Sequence, residues 1–336
     1  MADLEARFAE FREEFRRVRA EVAKILVGQD EVVLHTLVAL FAGGHCLLEG
    51  VPGLGKTLLV RTLARVLDLE SSRIQFTPDL MPADIIGTRL VVESDAGRRS
   101  FEFQRGPIFG QIVLADEVNR ATPKTQSALL EAMQEHSVTV GRESHVLREP
   151  FLVLATQNPL EMDGTYPLPE AQLDRFIFKV NVPFPNREEL SEVLARTTDA
   201  YHVEVAKVLD GPQIIAFQEL VRQVIVAPHV RDYAVRVLLA THPDQPGASD
   251  PVRRFVRYGG SPRGVQAMLL GAKILAALDG RYNVGFDDLR RIAPPALRHR
   301  MILNFEAEAE GQTSDALLRT ILEEVPELAR DASLAS

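Results

Sequence analysis

Apolar residues recur at every third or fourth position near the start of the chain, a spacing that is typical of amphipathic helices. Between residues 3 and 26 the apolar positions are Leu4, Phe8, Phe11, Phe15, Val18, Val22 and Ile25. A turn and a second helix are predicted for VGQDEVVLHTLVALFAGG, which closes at Gly43 and Gly44. The apolar run HCLLEG that follows predicts a short buried strand.

Helical and strand patterns alternate from there to about residue 186, and this alternation predicts an α/β domain. Further buried strands are predicted for RIQFTP, GQIVLADE, FLVLATQNP and the end of EAQLDRFIFKVNV. Helices are predicted for KTLLVRTLARVLDL and for PKTQSALLEAMQE, which has Pro123 at its start. Two segments that alternate apolar and polar residues predict hairpins, one turning at Gly97 and the other at Gly141 and Arg142.

Beyond about Asn186 the pattern is helical, and no further long apolar strand follows. Pro183 and Pro185 lie at the expected joint between the two parts. The predicted organisation is an N-terminal helix over residues 1–26, an α/β domain over 27–186, a helical domain over 187–330 and a frayed tail over 331–336.

Composition places the chain among ordinary globular proteins. Hydrophobic residues make up 46% of its 336 residues and charged residues 25%. No stretch approaches ~20 uninterrupted apolar residues, and the charged start lacks the apolar core of a secretory signal, so neither a membrane span nor secretion is expected. Because Cys46 is the single cysteine, no internal disulfide can form, which suits a reducing compartment; we expect a cytoplasmic protein.

The net charge of −9 works against a nucleic-acid partner, although an acidic chain can still bind one through a local basic stripe. The basic clusters FRRVR, VRRFVR and LRRIAPPALRHR are short and interleaved with apolar residues. We interpret them as solvated helix faces.

A glycine-rich loop between a predicted strand and a predicted helix carries the strongest chemical signal. Gly50, Gly55, Lys56 and Thr57 match the pattern G-x-x-x-x-G-K-[ST]. Such glycines let successive N–H groups point at a phosphate, the lysine can reach its oxygens, and the threonine hydroxyl can bind Mg²⁺. The alternative is a chance glycine turn. Because a strand is predicted before the loop and a helix after it, the phosphate-binding interpretation is favoured.

Polar residues follow two other buried strands, where an open α/β sheet binds its ligands. Asp116 and Glu117 end QIVLADE; the first can help to hold Mg²⁺, and the second can act as a general base toward water. Asn158 ends FLVLATQN and can contact a phosphate or orient the water. In isolation, Asp116 and Glu117 would be interpreted as a strand end that meets a solvated helix cap, and Asn158 as a turn residue before proline.

Two arginines suit phosphate contacts. Arg175, before the last predicted strand, is expected to lie too far from its own glycine loop and could reach a neighbouring subunit as an arginine finger. The alternative is a surface pair with Asp174. Arg263 lies in the first turn of a helix opened by Ser261, where its charge opposes the helix dipole unless an anion compensates for it.

Together these segments closely resemble the AAA+ ATPases and, within them, the MoxR family. The resemblance extends from about Val27 to Leu303 and is carried by LLEGVPGLGKT, RIQFTPDLMPADIIGT, FEFQRGPIF, LADEVNRATPKTQSALLEAMQE, ATQNP, LPEAQLDRF and GGSPRG. It implies a P-loop module with a parallel sheet flanked by helices, and an all-helical lid domain at the C-terminal end. It also implies a helix-2 insert hairpin over about residues 85–105 and a second hairpin over about 136–147, both facing a pore or substrate.

The resemblance also assigns roles in binding ATP and Mg²⁺. The nucleotide would be held by Gly28, Gln29, Gly50, Val51, Pro52, Gly53, Leu54, Gly55, Lys56, Thr57, Leu58, Asp116 and Arg263. The metal would be held by Thr57 and Asp116, and the catalytic residues would be Glu117, Asn158 as sensor 1, Arg175 as the finger and Arg263 as sensor 2. Arg120, just after the Asp-Glu pair, is an alternative finger.

The function implied by the resemblance is ATP hydrolysis at the interfaces of a homo-oligomer, most often a hexameric ring. The ring would remodel or mature partner protein complexes, with a von Willebrand factor A domain protein as a partner. A nucleic-acid-directed or magnesium-chelatase-like motor is the alternative, and basic hairpins would favour it. A scaffold that binds ATP without turnover is a third hypothesis, which the intact Glu117 argues against.

Overall fold

The computed structural model describes residues 2–93, 99–158, 165–198 and 203–328. The chain divides into two compact units. The first, here called the sheet unit, comprises Arg16–Arg175 and Val180–Ile215. The second, the helical unit, comprises Met1–Phe15, Phe176–Lys179 and Ala216–Ser336. This grouping of residues differs from that of the predicted domains, whose boundaries remain a prediction.

The described residues form fourteen α-helices. In chain order they are α1 (Ala2–Ala23), α2 (Asp30–Ala42), α3 (Lys56–Val66), α4 (Pro82–Ile86), α5 (Pro123–Glu135), α6 (Glu170–Leu173), α7 (Arg187–Thr198), α8 (Gly211–Arg222), α9 (Pro228–Ala240), α10 (Asp250–Phe255), α11 (Pro262–Leu278), α12 (Phe286–Leu297), α13 (Phe305–Ala309) and α14 (Ser314–Glu324). None of these helices has the length and apolar character that crossing a membrane requires.

The described part of the chain also contains eleven strands. They are β1 (Cys46–Glu49), β2 (Ser71–Gln75), β3 (Gly87–Glu93), β4 (Arg99–Arg105), β5 (Ile112–Asp116), β6 (Ser137–Val140), β7 (Glu143–Val146), β8 (Leu152–Gln157), β9 (Phe178–Asn181), β10 (Val256–Tyr258) and β11 (Ile302–Leu303).

The predicted α/β fold is confirmed: a parallel sheet of five strands has the order β2-β5-β8-β1-β9. The register aligns the last residues of its strands, pairing Glu49 of β1 with Gln157 of β8 and Gln75 of β2 with Asp116 of β5. Because the strands are parallel, their carboxyl ends meet at one edge, where open α/β sheets bind ligands. The sheet order therefore brings the polar ends of four separate segments together.

The strands at the centre of the sheet are apolar on both faces, as expected where helices cover both sides. Ile112–Ala115 of β5 and Leu152–Ala155 of β8 are completely buried. The apolar face of α3 is buried as well, through Leu59, Leu63 and Val66. β2 runs from Ser71 to Gln75, so it begins two residues and ends three residues before the predicted strand, because its pairing with β5 extends from Ser71 and Ile112 to Gln75 and Asp116.

Both predicted hairpins form in the sheet unit. β3 pairs antiparallel with β4, and β6 pairs antiparallel with β7. The turn at Gly97 lies outside the described residues, whereas Gly141 has the positive φ of +68° expected at the second turn. Arg89 of β3 forms an ion pair with Glu143 of β7 at 2.7 Å, so a charged contact joins the two hairpins.

The helical unit is built around α11. Its small residues admit close neighbours: a Cβ on Gly271 would lie 2.5 Å from Ile292 of α12. Asp288, in the first turn of α12, is buried and accepts two hydrogen bonds from Arg281. One short antiparallel pair, β10 with β11, accompanies the helices. The predicted frayed tail at 331–336 lies outside the described residues.

Candidate functional site

The glycine loop connects β1 to α3 at the polar edge of the sheet. Gly53 and Gly55 have φ angles of +85° and +78°, which side-chain-bearing residues rarely adopt. A Cβ on Gly50 would lie 2.9 Å from the Cβ of Val182, so only glycine fits against the segment that follows β9. Within the described part of the chain, no side chain caps the first N–H groups of α3, which begins at Lys56. The loop therefore presents backbone donors and a positive helix end to an anion.

Lys56 reaches back across the loop it follows. Its Nζ donates a hydrogen bond to the carbonyl oxygen of Gly50 at 2.9 Å. Partial burial lowers the pKa of this ammonium, and the nearby carboxylates of Asp116 and Glu117 counteract part of that effect. A partly desolvated cation has much to gain from an anionic ligand, which suits contact with phosphate.

Asp116 and Glu117 are fixed by a buried threonine on the neighbouring strand. The hydroxyl of Thr156 donates to Oδ1 of Asp116 at 2.7 Å and accepts from the backbone N–H of Glu117 at 2.8 Å. Glu117 itself has a left-handed φ of +58°, so the chain turns sharply at the end of β5. The single hydroxyl thus sets the positions of both acidic residues.

Two side chains of β2, Arg73 and Gln75, also reach these acids. Arg73 Nη2 lies 2.7 Å from Asp116 Oδ2, and Gln75 Nε2 donates to Glu117 Oε2 at 2.9 Å. Arg120 donates to the same oxygen of Glu117 at 3.1 Å. Arg73, Gln75 and the role of Thr156 were not predicted from the sequence. Polar residues two apart in RIQFTP, facing one side of a strand, were the available signal for the first two.

These groups surround one cavity of about 410 Å³. It is lined by Pro52, Gly53, Gly55, Lys56, Thr57, Leu58, Arg73, Gln75, Asp116, Glu117 and Asn158. The structure therefore brings together most of the residues predicted for the phosphates, the metal and the attacking water. Gly50 and Val51 belong to the same loop.

A second, mostly apolar cavity of about 320 Å³ adjoins the first at the glycine loop. Its lining includes the predicted nucleotide residues Gln29 and Leu54, together with the exposed ring of Phe184. Gln29 Nε2 donates to the carbonyl oxygen of Leu54 at 2.6 Å, which ties this segment to the loop. Gly28 has a φ of +70°, which strains any residue with a side chain, and a Cβ there would lie 2.3 Å from the Glu189 side chain, which would have to move. The apolar character of this cavity suits a nucleotide base.

Of the two arginines predicted to contact phosphate, Arg175 lies outside the cavity lining. Arg175 follows α6 and precedes β9, and about four strand residues, or roughly 13 Å, separate the start of β9 from Val182 beside the loop. This places Arg175 at the opposite end of the strand adjacent to β1, beyond the reach of its side chain. Arg263 belongs to the helical unit, in the first turn of α11, where its N–H donates to Ser261 Oγ at 3.1 Å.

The donors present fit a magnesium–nucleotide ligand. Thr57 and Asp116 both line the larger cavity and supply the hard oxygen ligands that Mg²⁺ prefers. Among the described residues, no group of three or more His, Cys, Asp or Glu side chains could enclose a metal ion alone. A metal that takes its remaining ligands from phosphates and water suits this arrangement.

Comparison with known proteins agrees with the geometry. The family model for the ATPase family associated with various cellular activities (AAA) matches residues 45–178, and that for the AAA lid domain matches residues 252–321. The chain is 44% identical to Chaperone MoxR1 of Mycobacterium tuberculosis, over 91% of this chain and 80% of that protein. It is 32% identical to Protein MoxR of Methylorubrum extorquens, over 96% of this chain and 97% of that protein. A crystal structure of a candidate ATPase from Cytophaga hutchinsonii, 40% identical, superposes with a TM-score of 0.91 over 98% of this chain and 99% of the other.

Proposed function

The chain belongs to the MoxR family of AAA+ ATPases, and we propose that it hydrolyses ATP with Mg²⁺ at the interfaces between subunits of a ring. The observation that carries this proposal is the convergence of Lys56, Thr57, Asp116, Glu117 and Asn158 on one cavity beside a glycine loop. A phosphate chain, a divalent metal and an attacking water each find suitable partners there.

The proposed roles follow from position and charge. The glycine loop and Lys56 bind the β- and γ-phosphates, while Gly28, Gln29, Leu54 and Leu58 flank the base. Mg²⁺, held by Thr57 and Asp116, would neutralise charge on the phosphates. Glu117 accepts a proton from the water that Asn158 helps to place, and Arg263 contacts the γ-phosphate in the same subunit.

We propose Arg175 as the finger that completes a neighbour's site. Arg120 bonds to Glu117 of its own subunit at 3.1 Å, which occupies its guanidinium near its own site. Arg175 has no carboxylate within ion-pair distance among the residues that the structure describes. A cation held beyond reach of its own phosphates suits action across an interface, where such a finger raises turnover about 10³–10⁵-fold.

The proposed work of the ring is the remodelling or maturation of partner protein complexes in the cytoplasm. Similarity to the relative named Chaperone MoxR1 supports a protein client. A hexamer, and a partner bearing a von Willebrand factor A domain, remain proposals from family resemblance. The single cysteine, Cys46, cannot form an internal disulfide, which suits a reducing compartment.

A nucleic-acid motor has less support. Such a motor needs free basic side chains on its hairpins, but Arg89 pairs with Glu143 and Arg99 lies 3.5 Å from Glu93. The acidic partners would compete with a phosphate backbone for both arginines. ATP turnover should therefore be insensitive to single-stranded DNA, and stimulation by it would favour the motor.

The proposed function is tested with two variants. Glu117→Gln should retain ATP binding but lose about 10²–10⁴-fold in turnover, because a general base is removed while the phosphate contacts remain. Lys56→Ala should lose ATP binding as well. Binding is measured by calorimetry and turnover by phosphate release. Full turnover in either variant would contradict the proposal.

A further inference from the structure

The guanidinium of Arg73 lies against the carboxylate that the proposed function assigns to the metal. Arg73 Nη2 and Nε are 2.7 and 3.3 Å from Oδ2 of Asp116. The other carboxylate oxygen, Oδ1, accepts the hydroxyl hydrogen of Thr156 at 2.7 Å. Both oxygens of Asp116 therefore accept hydrogen bonds from side chains of this chain.

The same arginine is linked to the proposed general base. Arg73 Nη2 also donates to Oε1 of Gln75, whose Nε2 donates to Oε2 of Glu117 at 2.9 Å. Arg73 and Gln75 are alternate residues of β2 and so project from one face of the strand. One continuous network therefore connects the metal carboxylate, Arg73, Gln75 and the base.

A metal ion bound by Asp116 would compete with Arg73 for the carboxylate. A divalent cation bound at Oδ2 would stand within a few ångströms of the guanidinium, and the two positive charges would repel each other. The Arg73 side chain is 50% exposed, so it has room to move away, whereas Asp116 is 15% exposed and held by Thr156. The arginine is therefore the partner that must yield.

We propose that Arg73 is a positioning residue that holds Asp116 in the metal-free protein and is displaced from it when the metal arrives with nucleotide. This inference rests on the proposed function, because it takes Asp116 as the metal carboxylate. Displacement of Arg73 would also remove its bond to Gln75, while Glu117 would keep its bonds to Gln75 and Arg120.

The test measures metal binding in the absence of turnover. Mn²⁺ is titrated into the nucleotide-free protein and into its ADP complex, and free Mn²⁺ is followed by electron paramagnetic resonance. Arg73→Gln should bind Mn²⁺ about tenfold more tightly than the wild type, because a nearby positive charge is removed. Arg73→Lys keeps the charge and should stay near the wild type. Arg89→Gln makes the same change in net charge at the hairpin ion pair and should leave the affinity unchanged.

Comparison of Asp116→Asn with the double variant Arg73→Gln and Asp116→Asn locates the effect. Equal Mn²⁺ affinity in these two variants would support competition at Asp116, whereas tighter binding by the double variant would overturn the proposal. Unchanged or weaker Mn²⁺ binding in Arg73→Gln alone would also overturn it. Because no hydrolysis is needed, a wild type that bound Mn²⁺ through Asp116 but did not cleave ATP would end the proposed function and leave this inference standing.

Discussion

Replacement of Thr156 by valine tests whether the acidic pair depends on the neighbouring strand. Valine keeps the shape of threonine but removes the donor to Asp116 and the acceptor for the N–H of Glu117. Two hydrogen bonds at about 1 kcal/mol each predict a loss of roughly 2 kcal/mol in the free energy of unfolding. Turnover should fall by about 10–100-fold, as is usual when a residue that orients a metal ligand is changed.

The assays are urea unfolding and phosphate release at saturating Mg–ATP. Thr156→Ser is the matched control, because it keeps the hydroxyl in a completely buried position and should stay near wild-type turnover. A stable Thr156→Val protein with full turnover would refute the reasoning. So would a Thr156→Ser variant as impaired as Thr156→Val, since the hydroxyl would then not be the group that matters.

Three further predictions use other parts of the structure. Since the chain lacks tryptophan, Phe184→Trp supplies a single reporter beside the apolar cavity, and its fluorescence should change with ATP but not with tripolyphosphate. Burial lowers the pKa of His45 to about 4 in the folded protein. The unfolded chain protonates this ring near pH 6.5, so the free energy of unfolding is highest above pH 6.5 and decreases as pH falls toward 4. Urea unfolding should show about 2 kcal/mol more loss between pH 7 and 5 in the wild type than in His45→Asn. Asp288→Asn should cost about 2 kcal/mol in urea unfolding, because it weakens the charged hydrogen bonds that the partly exposed Arg281 donates to the buried Asp288; a cost below 1 kcal/mol would contradict this.

The sequence predicted those parts of the site that lie within one continuous pattern. The glycine loop and the Asp116–Glu117 pair each follow an apolar strand directly, so local spacing was enough to place them. The strand runs also predicted the α/β fold, because buried parallel strands are apolar on both faces.

Arg73, Gln75 and Thr156 depend on strand order, which local spacing does not determine. Arg73 meets Asp116 only because β2 pairs with β5 in a register that aligns residues about forty positions apart. Thr156 belongs to an otherwise apolar run and so had the pattern of a core residue, although its hydroxyl positions both acids. Contacts between strands, unlike loops that follow them, require the topology to be known.

The most direct test of the central claim mixes two inactive variants. In a ring, a subunit carrying Arg175→Ala keeps its own Glu117, and a neighbour carrying Glu117→Gln can supply the missing finger. An equal mixture should recover about a quarter of wild-type ATP turnover, the fraction of interfaces that join one intact half from each variant. If mixed oligomers form and the mixture stays inactive, the proposed site between subunits is contradicted.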